Sequence, residues 1–514
     1  MTNRQVEFAW KYHNATKHSW NSVRTDPHFL DWSNRPRLFK MYRGLEGLPL
    51  PRDLDGTGRP ALAVTRTGTA ASNETAISLG DLASILYFSA GITRRRPYPD
   101  GEFLFRAAAC TGALYAIELY AVCKDLQGLE AGVYLFNPAE FVLTRIRTGD
   151  YRGVLAAATA GEPGVLHAPL TIICTGTYWR NAWKYQARTY RHFGWDNGTI
   201  LANLLAIATA RNLPAKVVNG FVDAEVNQLL GLNTQREVAL NLVPLGFSST
   251  PAPEFTAEIP RLELVEIPYS RHETDYSAMH EIHTASSLTT SDEVAAWRGN
   301  TLSKPEPPAS SDWVALDAYS DAEMPQDSIE AVIQRRGSSR RFVRTASISF
   351  RELSTALYRS TQGVAADFLD QAGSQLNDLY LVCHAVDGLK PGAYLLHRNP
   401  WALELLKPGE FRKEAGYLGL EQSLPADCSA AIFFLADLDK IFERYGNRGY
   451  RATQLEAGTI GGRLYLAAYA QRLGATGLTF YDDDVTRFFS PHAERKSAIF
   501  LVALGKTAKN IQGL

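Results

Sequence analysis

The chain has 514 residues, 45% of them apolar, and its 53 Lys and Arg nearly balance its 54 Asp and Glu, giving a formal net charge of −1. This length predicts two or more domains, and the balanced charge argues against a nucleic-acid or membrane-surface protein. No apolar run approaches the ~20 residues that span a bilayer, the N-terminal stretch lacks a signal-peptide apolar region, and the five cysteines show no CxxC spacing. We therefore expect a cytoplasmic chain without nucleic-acid or membrane partners.

The chain divides into four predicted segments. An N-terminal extension covers residues 1–60, a first domain covers 61–250, a linker covers 251–328 and a second domain covers 329–514. The linker is marked by stretches rich in Pro, Ser and Glu, such as SKPEPPASSD. The extension has no counterpart elsewhere in the chain, whereas the two domains resemble each other.

Each domain shows the same predicted order of elements: a short helix, a pair of strands, a buried strand, a long helix and a closing strand. In the first domain the strands are predicted at 117–122, 131–136, 170–176 and 239–246, and the long helix follows Gly198. Because strands cluster rather than alternating strictly with helices, the predicted fold class is α+β.

A repeat of constant spacing relates the two domains. Tyr185, Arg188 and Arg191 lie 260 positions before Tyr445, Arg448 and Arg451, and DNGTI at 196–200 lies the same distance before EAGTI at 456–460. Two such halves that bury their helices against each other form a covalent pseudo-dimer. The two copies of any interface site are then free to diverge, so asymmetry between them is informative.

The segment RRGSSRRF at 335–342 concentrates donors for an anion. Arg335, Arg336, Ser338 and Arg340 offer guanidinium and hydroxyl groups that suit a phosphate monoester, and the alternative is a solvated basic patch. The first domain has threonines 271 positions before Arg336, Ser338 and Arg340, namely Thr65, Thr67 and Thr69. A cluster that is present in one copy only favours a single site.

The pattern R-x-S-x-R-x-F, ending at Phe342, resembles the flavin-phosphate motif of the FMN-dependent nitroreductase family. The whole chain resembles the SagB/ThcOx-type dehydrogenase branch of that family through YHNATKHSW, DWSNRPRLFKMY, GALYAIELY, WKYQARTYR and DNGTI, in the order typical of the branch. The resemblance implies two nitroreductase-like domains in an intramolecular pseudo-dimer, FMN as the cofactor, and an oxidoreductase that transfers a hydride.

The resemblance also implies that the flavin lies between the halves, with the phosphate motif from one half and a loop of the form R-x-x-P-S-x-G-A-L-Y from the other. The first domain carries this loop at 106–115, where Ala109-Cys110 replaces Pro-Ser and where Cys110, Thr111 and Gly112 are expected to approach the ring. Residues 370–373 of the second domain lack the pattern, so we expect one FMN per chain. The backbone around Thr479 and Phe480 is expected to face the flavin N5 edge. Cys110 itself is interpreted as a packed small residue rather than a redox thiol.

Lys184 and Tyr185 resemble a Lys-Tyr pair of the family's azoline oxidases, which convert thiazoline or oxazoline rings in peptides into thiazoles or oxazoles. The pair is implied to abstract a proton while the flavin takes a hydride, and burial can lower the pKa of a lysine towards neutrality. The second domain has Arg444 in place of Lys184, and an arginine cannot serve as a base near neutral pH. The alternative is that Tyr185 is a core residue and Lys184 a surface cation.

The remaining features leave the substrate open. Arg94, Arg95 and Arg96 are expected to form a solvated loop that could steer an anionic substrate. The linker histidines lack HExxH spacing, so no metal site is expected, and the absence of GxGxxG means that NAD(P)H would bind only transiently. A small-molecule or peptide substrate is expected, with azoline oxidation and reduction of nitroaromatics or quinones as the two options. The competing hypothesis is a flavin-free scaffold or peptide-binding subunit of a modification complex, and further oligomerisation stays open.

Overall fold

A computed structural model of the chain describes residues 1–65, 73–98, 101–256, 258–298, 313–369 and 375–508. No helix within these ranges is both long enough and apolar enough to cross a membrane. The described residues form two α+β domains, each with an antiparallel sheet.

The first domain contains a sheet of six described strands in the order β1-β6-β5-β4-β7-β8. The strands are β1 (Gly47–Pro49), β4 (Ile117–Cys123), β5 (Gly132–Asn137), β6 (Val142–Thr148), β7 (Leu170–Thr177) and β8 (Glu237–Leu245), and a separate hairpin consists of β2 (Ile92–Tyr98) and β3 (Gly101–Arg106). β7 is buried along its whole length, as expected for a central strand covered on both faces. The four strands predicted in this domain are confirmed.

The second domain contains a sheet of seven described strands in the order β16-β17-β15-β11-β13-β14-β9. The strands are β9 (Trp313–Ala315), β11 (Asp378–Cys383), β13 (Gly392–Arg398), β14 (Trp401–Pro408), β15 (Ala430–Ala436), β16 (Gly474–Leu478) and β17 (Ser497–Gly505), and β10 (Ile348–Ser349) pairs with β12 (Val386–Asp387) outside it. The run β14-β13-β11-β15-β17 repeats the order β6-β5-β4-β7-β8, so the internal sequence repeat corresponds to a repeat of topology.

The helices cover both sheets and fill the space between the domains. From the N-terminus to the end of the first domain they are α1 (Glu7–Ala15), α2 (Trp20–Thr25), α3 (Ala61–Val64), α4 (Leu79–Ala90), α5 (Arg152–Ala158), α6 (Pro163–Leu166), α7 (Tyr178–Tyr185), α8 (Thr189–Ala210) and α9 (Asp223–Leu229). The later helices are α10 (Ser277–Ala285), α11 (Ser291–Arg298), α12 (Ile329–Arg335), α13 (Phe350–Ser360), α14 (Arg412–Leu418), α15 (Ser423–Asp427), α16 (Leu438–Tyr445), α17 (Arg448–Ala470) and α18 (Asp482–Phe489).

The two long helices α8 and α17 cross at a pair of glycines. A Cβ atom on Gly198 would lie 2.4 Å from the backbone of Gly458, its partner in the sequence repeat. Because only glycine permits so close a backbone approach, the crossing requires a glycine from each half. Gly198 therefore lies inside α8. The sequence predicted a helix after Gly198, but α8 already begins at Thr189, nine residues before Gly198.

Two buried ion-pair clusters hold the domains together at equivalent places. Arg188, which directly precedes α8, and Arg191 of α8 contact Asp482 at 3.1 and 2.7 Å. Their repeat partners Arg448 and Arg451 contact Asp223 at 2.6 and 2.7 Å. Each domain thus clamps an aspartate of the other, and the arginines recognised in the repeat are interface residues of a pseudo-dimer.

The N-terminal extension and the linker, which lie outside the repeat, contain helices, and the extension contacts both domains. In the extension, the Tyr12 hydroxyl donates to the carbonyl oxygen of Ala187 at 2.6 Å, and the backbone N–H of Ala9 donates to Asn447 at 3.0 Å, so α1 contacts both domains. The linker contains α10 and α11. Arg94, Arg95 and Arg96 are exposed, as expected, but the predicted loop conformation is wrong, because these residues lie in strand β2 and pair with β3.

Candidate active site

The Arg-Ser segment of the second domain meets the predicted loop of the first. Helix α12 ends at Arg335, and the Arg336 guanidinium extends across the interface to donate to the carbonyl oxygens of Ala107 and Arg106 at 2.8 and 2.9 Å. Residue 106 opens the loop at 106–115. The sequence prediction that these two segments lie together across the two halves therefore agrees with the geometry.

The other polar residues of the Arg-Ser segment, Arg335, Ser338 and Arg340, differ in the hydrogen bonds and ion pairs that they form. Arg335 donates to Asp327 at the end of the linker at 2.6 Å and to the carbonyl of Tyr469 at 2.8 Å, so its guanidinium already has two partners. The Ser338 hydroxyl is exposed and lies 3.2 Å from the Tyr465 hydroxyl. Arg340 is exposed and makes no ion pair or hydrogen bond with the part of the chain that the structure describes.

The loop at 110–112 is held by a buried carboxylate of α8. Asp196 accepts hydrogen bonds from the backbone N–H and the hydroxyl of Thr111, each at 2.7 Å, and from the Cys110 thiol at 3.1 Å. Burial raises the pKa of Asp196 to about 6 even though these donors oppose the shift. Burial, with the Asp196 carboxylate beside it, also raises the pKa of Cys110 well above its usual value, so Cys110 is a protonated thiol near neutral pH.

Lys184 and Tyr185 lie at the end of α7, next to the same loop. Gly112 has a φ of +63°, and a Cβ there would lie 2.8 Å from the Tyr185 hydroxyl, so the close approach of loop and ring depends on glycine. The Lys184 ammonium lies 5.3 Å from the centre of the Tyr185 ring. Burial lowers the pKa of Lys184, assisted by the positive charges of Arg340 and Arg35, and burial raises the pKa of Tyr185.

Thr479 and Phe480 follow β16 on the second-domain side of this interface. The Thr479 hydroxyl lies 3.1 Å from Nδ1 of His18, and the Phe480 ring is buried with the Arg188 guanidinium 5.6 Å from its centre. The backbone N–H of Thr479 makes no hydrogen bond with another described residue. We call this group of residues the motif seam: Arg336, Ser338, Arg340, Cys110, Thr111, Gly112, Lys184, Tyr185 and Thr479.

The internal repeat relates the motif seam to a second place at the interface of the two domains, and this second place contains different side chains. Gly220 corresponds to Thr479 by the same offset of 259 positions that relates Asp223 to Asp482. Here the Asp367 carboxylate accepts hydrogen bonds from the backbone N–H groups of Asn219 and Gly220, both at 2.8 Å. The backbone N–H of Gly220 is thus bound by a protein carboxylate, whereas the equivalent N–H of Thr479 has no partner among the described residues.

The linker completes this second arrangement. Trp297 of α11 is 1% exposed, donates to the carbonyl of Tyr445 at 3.0 Å and packs on the Tyr445 ring at 5.4 Å between centres. Arg298 lies 3.5 Å from Asp367. Tyr445 is the repeat partner of Tyr185, so a tryptophan from outside the repeat fills the place next to it. We call this group the linker seam: Asn219, Gly220, Asp367, Trp297, Arg298 and Tyr445.

Comparisons with known proteins identify the domains. The model of the family described as Nitroreductase matches residues 72–247 and again residues 333–506. The chain belongs to the nitroreductase family.

Two relatives illustrate how far this tandem nitroreductase resembles known proteins. The crystal structure of a candidate nitroreductase from Anabaena variabilis superimposes with a TM-score of 0.76 at 24% identity, covering 97% of this chain and 99% of that one, which shows a shared two-domain fold. A candidate nitroreductase of Methanocaldococcus jannaschii is 28% identical over 170 residues, which is 33% of this chain and 81% of that protein.

The motif seam has the donor set that a flavin mononucleotide requires. Arg340 is a cation without a protein partner among the described residues, Ser338 adds an exposed hydroxyl, and the free N–H of Thr479 offers a donor to a ring edge. The same kind of donors is occupied by Asp367 at the linker seam. The residues of the motif seam fit the phosphate and a ring edge of FMN, whereas Asp367 and Trp297 already contact the corresponding groups of the linker seam.

Several residues of these sites were not found from the sequence. His18 comes from a segment outside the repeat, and Asp367 and Trp297 have no pattern that marks them as partners of a backbone turn or a ring. The sequence does carry a signal for Asp196, because its repeat partner Glu456 is also acidic. In the structure Glu456 likewise binds backbone N–H groups, those of Leu376 and Asn377. Thr67, Thr69 and residues 370–373 lie outside the described residues.

The linker histidines take part in local contacts. His280 pairs with Asp275 at 2.5 Å, and Nδ1 of His283 lies 3.2 Å from the Tyr190 hydroxyl. His272 contacts Asn34 through its backbone. Within the described ranges, no group of three or more His, Cys, Asp or Glu side chains is placed to hold a metal ion.

Proposed function

We propose that this nitroreductase-family chain is an FMN-dependent oxidoreductase with a single flavin site at the motif seam. Bound FMN supplies a hydride acceptor or donor. Arg336, Ser338 and Arg340 hold its phosphate, and Cys110, Thr111 and Gly112 approach the ring from the other domain. Arg335, which is engaged with Asp327, supports the position of the motif from behind.

The asymmetry of the two seams carries this proposal. At the motif seam Arg340 and Ser338 are exposed, and neither Arg340 nor the N–H of Thr479 has a hydrogen-bond partner among the described residues. At the linker seam the equivalent N–H groups are bound by Asp367, and Trp297 covers Tyr445. Two complete flavin sites per chain would require the two seams to be similar. A scaffold that had lost its cofactor would have no reason to keep unsatisfied hydrogen-bond donors at either seam.

Lys184 and Tyr185 handle the proton that accompanies hydride transfer. Tyr185 lies next to Gly112 of the loop, and the Lys184 ammonium lies 5.3 Å from the centre of the Tyr185 ring. A lysine whose pKa is lowered by burial and by neighbouring cations is partly neutral closer to physiological pH, so it can accept a proton from a substrate carbon. The Tyr185 hydroxyl, whose pKa is raised, stays protonated and can orient the substrate by donating a hydrogen bond.

The finer assignment within the family is the SagB/ThcOx-type branch, and the favoured reaction is oxidation of an azoline ring derived from a peptide. The Lys-Tyr pair at the motif seam supports this choice, because dehydrogenation of such a ring needs a base beside the hydride acceptor. Reduction of nitroaromatics or quinones with NAD(P)H as a transient donor is the second option. The non-enzymatic alternative, a scaffold or peptide-binding subunit, predicts colourless protein.

Substitution of the phosphate residues tests the proposed site. The double variant Arg336→Ala/Arg340→Ala is expected to lose FMN, because each charge-assisted hydrogen bond to a phosphate is worth about 1.5–3 kcal/mol. Arg344→Ala is the matched control, since Arg344 is exposed, lies four residues beyond Arg340, and bonds to other described residues only through its backbone carbonyl.

Visible absorbance of purified and FMN-reconstituted protein is the measurement. Yellow wild-type and Arg344→Ala proteins with a colourless double variant would support the site at the motif seam. Flavin retained by the double variant would place the cofactor elsewhere, and wild-type protein that stays colourless after reconstitution would favour the scaffold.

A further inference from the structure

The N-terminal extension forms a wall beside Lys184. The carbonyl oxygen of Asp31 accepts a hydrogen bond from the Trp183 indole N–H at 3.0 Å, and the Trp32 ring meets the Trp183 ring edge-on at 5.3 Å between centres. The carbonyl of Asn34 accepts a hydrogen bond from Ser270 at 2.8 Å. Residues 31–34 are thereby fixed on the end of α7, and they position the next residue, Arg35.

Arg35 follows this fixed segment, and its guanidinium has no counter-charge among the described residues. Its guanidinium lies 5.4 Å from the centre of the Phe103 ring in the β2–β3 hairpin, and it makes no ion pair with any described residue. Its positive charge is close enough to Lys184 to help lower the pKa of that ammonium. Arg35, Lys184 and Arg340 thus bring three positive charges together from the extension, the first domain and the second domain.

Carboxylates of the extension and of the hairpin form hydrogen bonds or ion pairs with residues other than Arg35. Asp26 accepts a hydrogen bond from Gln186 at 2.6 Å, Asp31 accepts one from the Ser33 hydroxyl at 2.7 Å, and Glu102 pairs with Arg95 at 3.1 Å. Asp196 is buried behind the loop and holds Thr111. In the proposed function FMN matches Arg340 and Lys184 acts in its neutral form. Of the three cations, Arg35 is then the one for which neither the proposed function nor any ion pair of the described residues supplies a partner.

We propose that Arg35 binds an anionic group, a carboxylate or a phosphate, carried by the reactant that enters the motif seam beside Lys184. The inference rests on the proposed function and adds the chemical class of the reactant. The guanidinium fork suits either anion, because it can donate two parallel hydrogen bonds to two oxygens of one group. The exposed arginines of the β2–β3 hairpin add a positive field that favours the approach of an anion.

The anion could belong to the organic substrate or to a pyridine nucleotide, and two matched pairs of probes distinguish these sources. Benzoate and benzamide share a ring but differ in charge, and their binding is measured by titration calorimetry. NADH and the uncharged donor 1-benzyl-1,4-dihydronicotinamide share the reacting ring, and their reaction is followed by bleaching of the flavin absorbance. Each pair is applied to wild-type protein, Arg35→Gln and Arg37→Gln.

Arg37 provides the matched control, because it is exposed, belongs to the same segment and contacts Tyr269 only through its backbone N–H. We expect Arg35→Gln to weaken benzoate binding, or to slow bleaching by NADH at low concentration, by about tenfold or more relative to the uncharged partner. Arg37→Gln should leave both ratios as in the wild type, and Arg35→Lys should restore part of the preference because it keeps the charge.

The outcomes separate the two levels of the proposal. A loss confined to benzoate assigns the anion to the organic substrate, and a loss confined to NADH assigns it to the donor's phosphates. Arg35→Gln ratios equal to those of Arg37→Gln in both pairs would overturn the role of Arg35. Failure of the proposed function would appear separately, as protein without flavin, and the calorimetric pair would still report on Arg35 in such protein.

Discussion

Lys184 is the residue whose chemistry is most directly testable. Burial, Arg340 and Arg35 all lower its pKa, so its neutral form becomes available at lower pH than for a free lysine. The rate of flavin reduction by substrate should therefore rise with pH as Lys184 loses its proton, and the rise should occur below the usual lysine range.

Lys184→Met should retain flavin, but the reduction of that flavin by substrate should slow by about 10²–10⁴-fold, because a positioned base is lost. The pH-dependent rise should also disappear. Stopped-flow measurement of flavin bleaching between mildly acidic and alkaline pH provides the test, with Arg444→Met, at the equivalent position of the other half, as the control. A wild-type pH profile in Lys184→Met would remove Lys184 from proton transfer.

His18 is predicted to position Thr479. Its Nδ1 lies 3.1 Å from the Thr479 hydroxyl, and its backbone N–H donates to Asp482 at 2.8 Å. Burial and the Arg188 charge lower the pKa of His18 to about 3, in spite of the Asp482 carboxylate, so the imidazole is neutral at physiological pH.

His18→Ala should slow flavin reduction several-fold to about tenfold, since it removes one hydrogen bond that fixes Thr479, and it should leave the pH profile above pH 5 unchanged. His18→Asn should recover part of the rate. His272→Ala is the control, because His272 is exposed. Loss of an ionisation near pH 6 in His18→Ala would show instead that His18 titrates during turnover.

At the scale of elements, the two arginine–aspartate ion-pair clusters have equivalent geometry, but only one of them contacts a residue beside the motif seam. Arg448 and Arg451 hold Asp223, whereas Arg188 and Arg191 hold Asp482, which also binds the backbone of His18 beside the motif seam. Although burial opposes it, the two arginines lower the pKa of Asp482 to about 2 from an ordinary value of 3.8. The stability contributed by this depressed pKa is fully present above pH 3.8 and is lost as the pH falls towards 2.

Asp223→Asn and Asp482→Asn should each lower the free energy of unfolding by about 3–5 kcal/mol, because each leaves two buried arginines without a counter-charge. Only Asp482→Asn should also slow flavin reduction. Denaturant titrations and stopped-flow bleaching of the same two variants provide the comparison. Equal effects of both variants on flavin reduction would mean that the clamp near His18 has no special link to the site.

The elements that the sequence predicts well are those whose pattern reports burial directly. The runs at 170–176 and 430–436 are apolar throughout and form fully buried central strands. The β2–β3 hairpin was missed because Arg94, Arg95 and Arg96 are exposed and interrupt any alternation of apolar and polar residues. The start of α8 at Thr189 was missed because Gly198 is a helix breaker in isolation, and its reason for lying inside a helix is the contact with Gly458.

At the scale of the whole molecule, a single chain allows the two seams to diverge. In a symmetric dimer, any substitution that plugs one seam plugs the other. Here α11 of the linker places Trp297 against Tyr445 at the linker seam, and the extension places His18 against Thr479 at the motif seam. The segments outside the repeat thus distinguish two places that the repeat alone would make alike.

The candidate site could be predicted from the sequence as far as the repeat and the family resemblance extend. The contact between Arg336 and the loop at 106–107 follows from placing the motif of one half on the loop of the other. The roles of Asp367, Trp297 and Arg35 could not be predicted, because each acts through a contact between segments of unrelated sequence. Such contacts depend on the path of the chain around the domains, which periodicity and spacing do not encode.

The number of flavins per chain tests the asymmetric pseudo-dimer most directly. FMN released from a known amount of denatured protein, quantified by absorbance, should equal one per chain in the wild type and in Asp367→Asn, where Trp297 still fills the linker seam. It should fall to none in Arg336→Ala/Arg340→Ala. Two flavins per wild-type chain, or one flavin retained by the double variant, would contradict a single site at the motif seam.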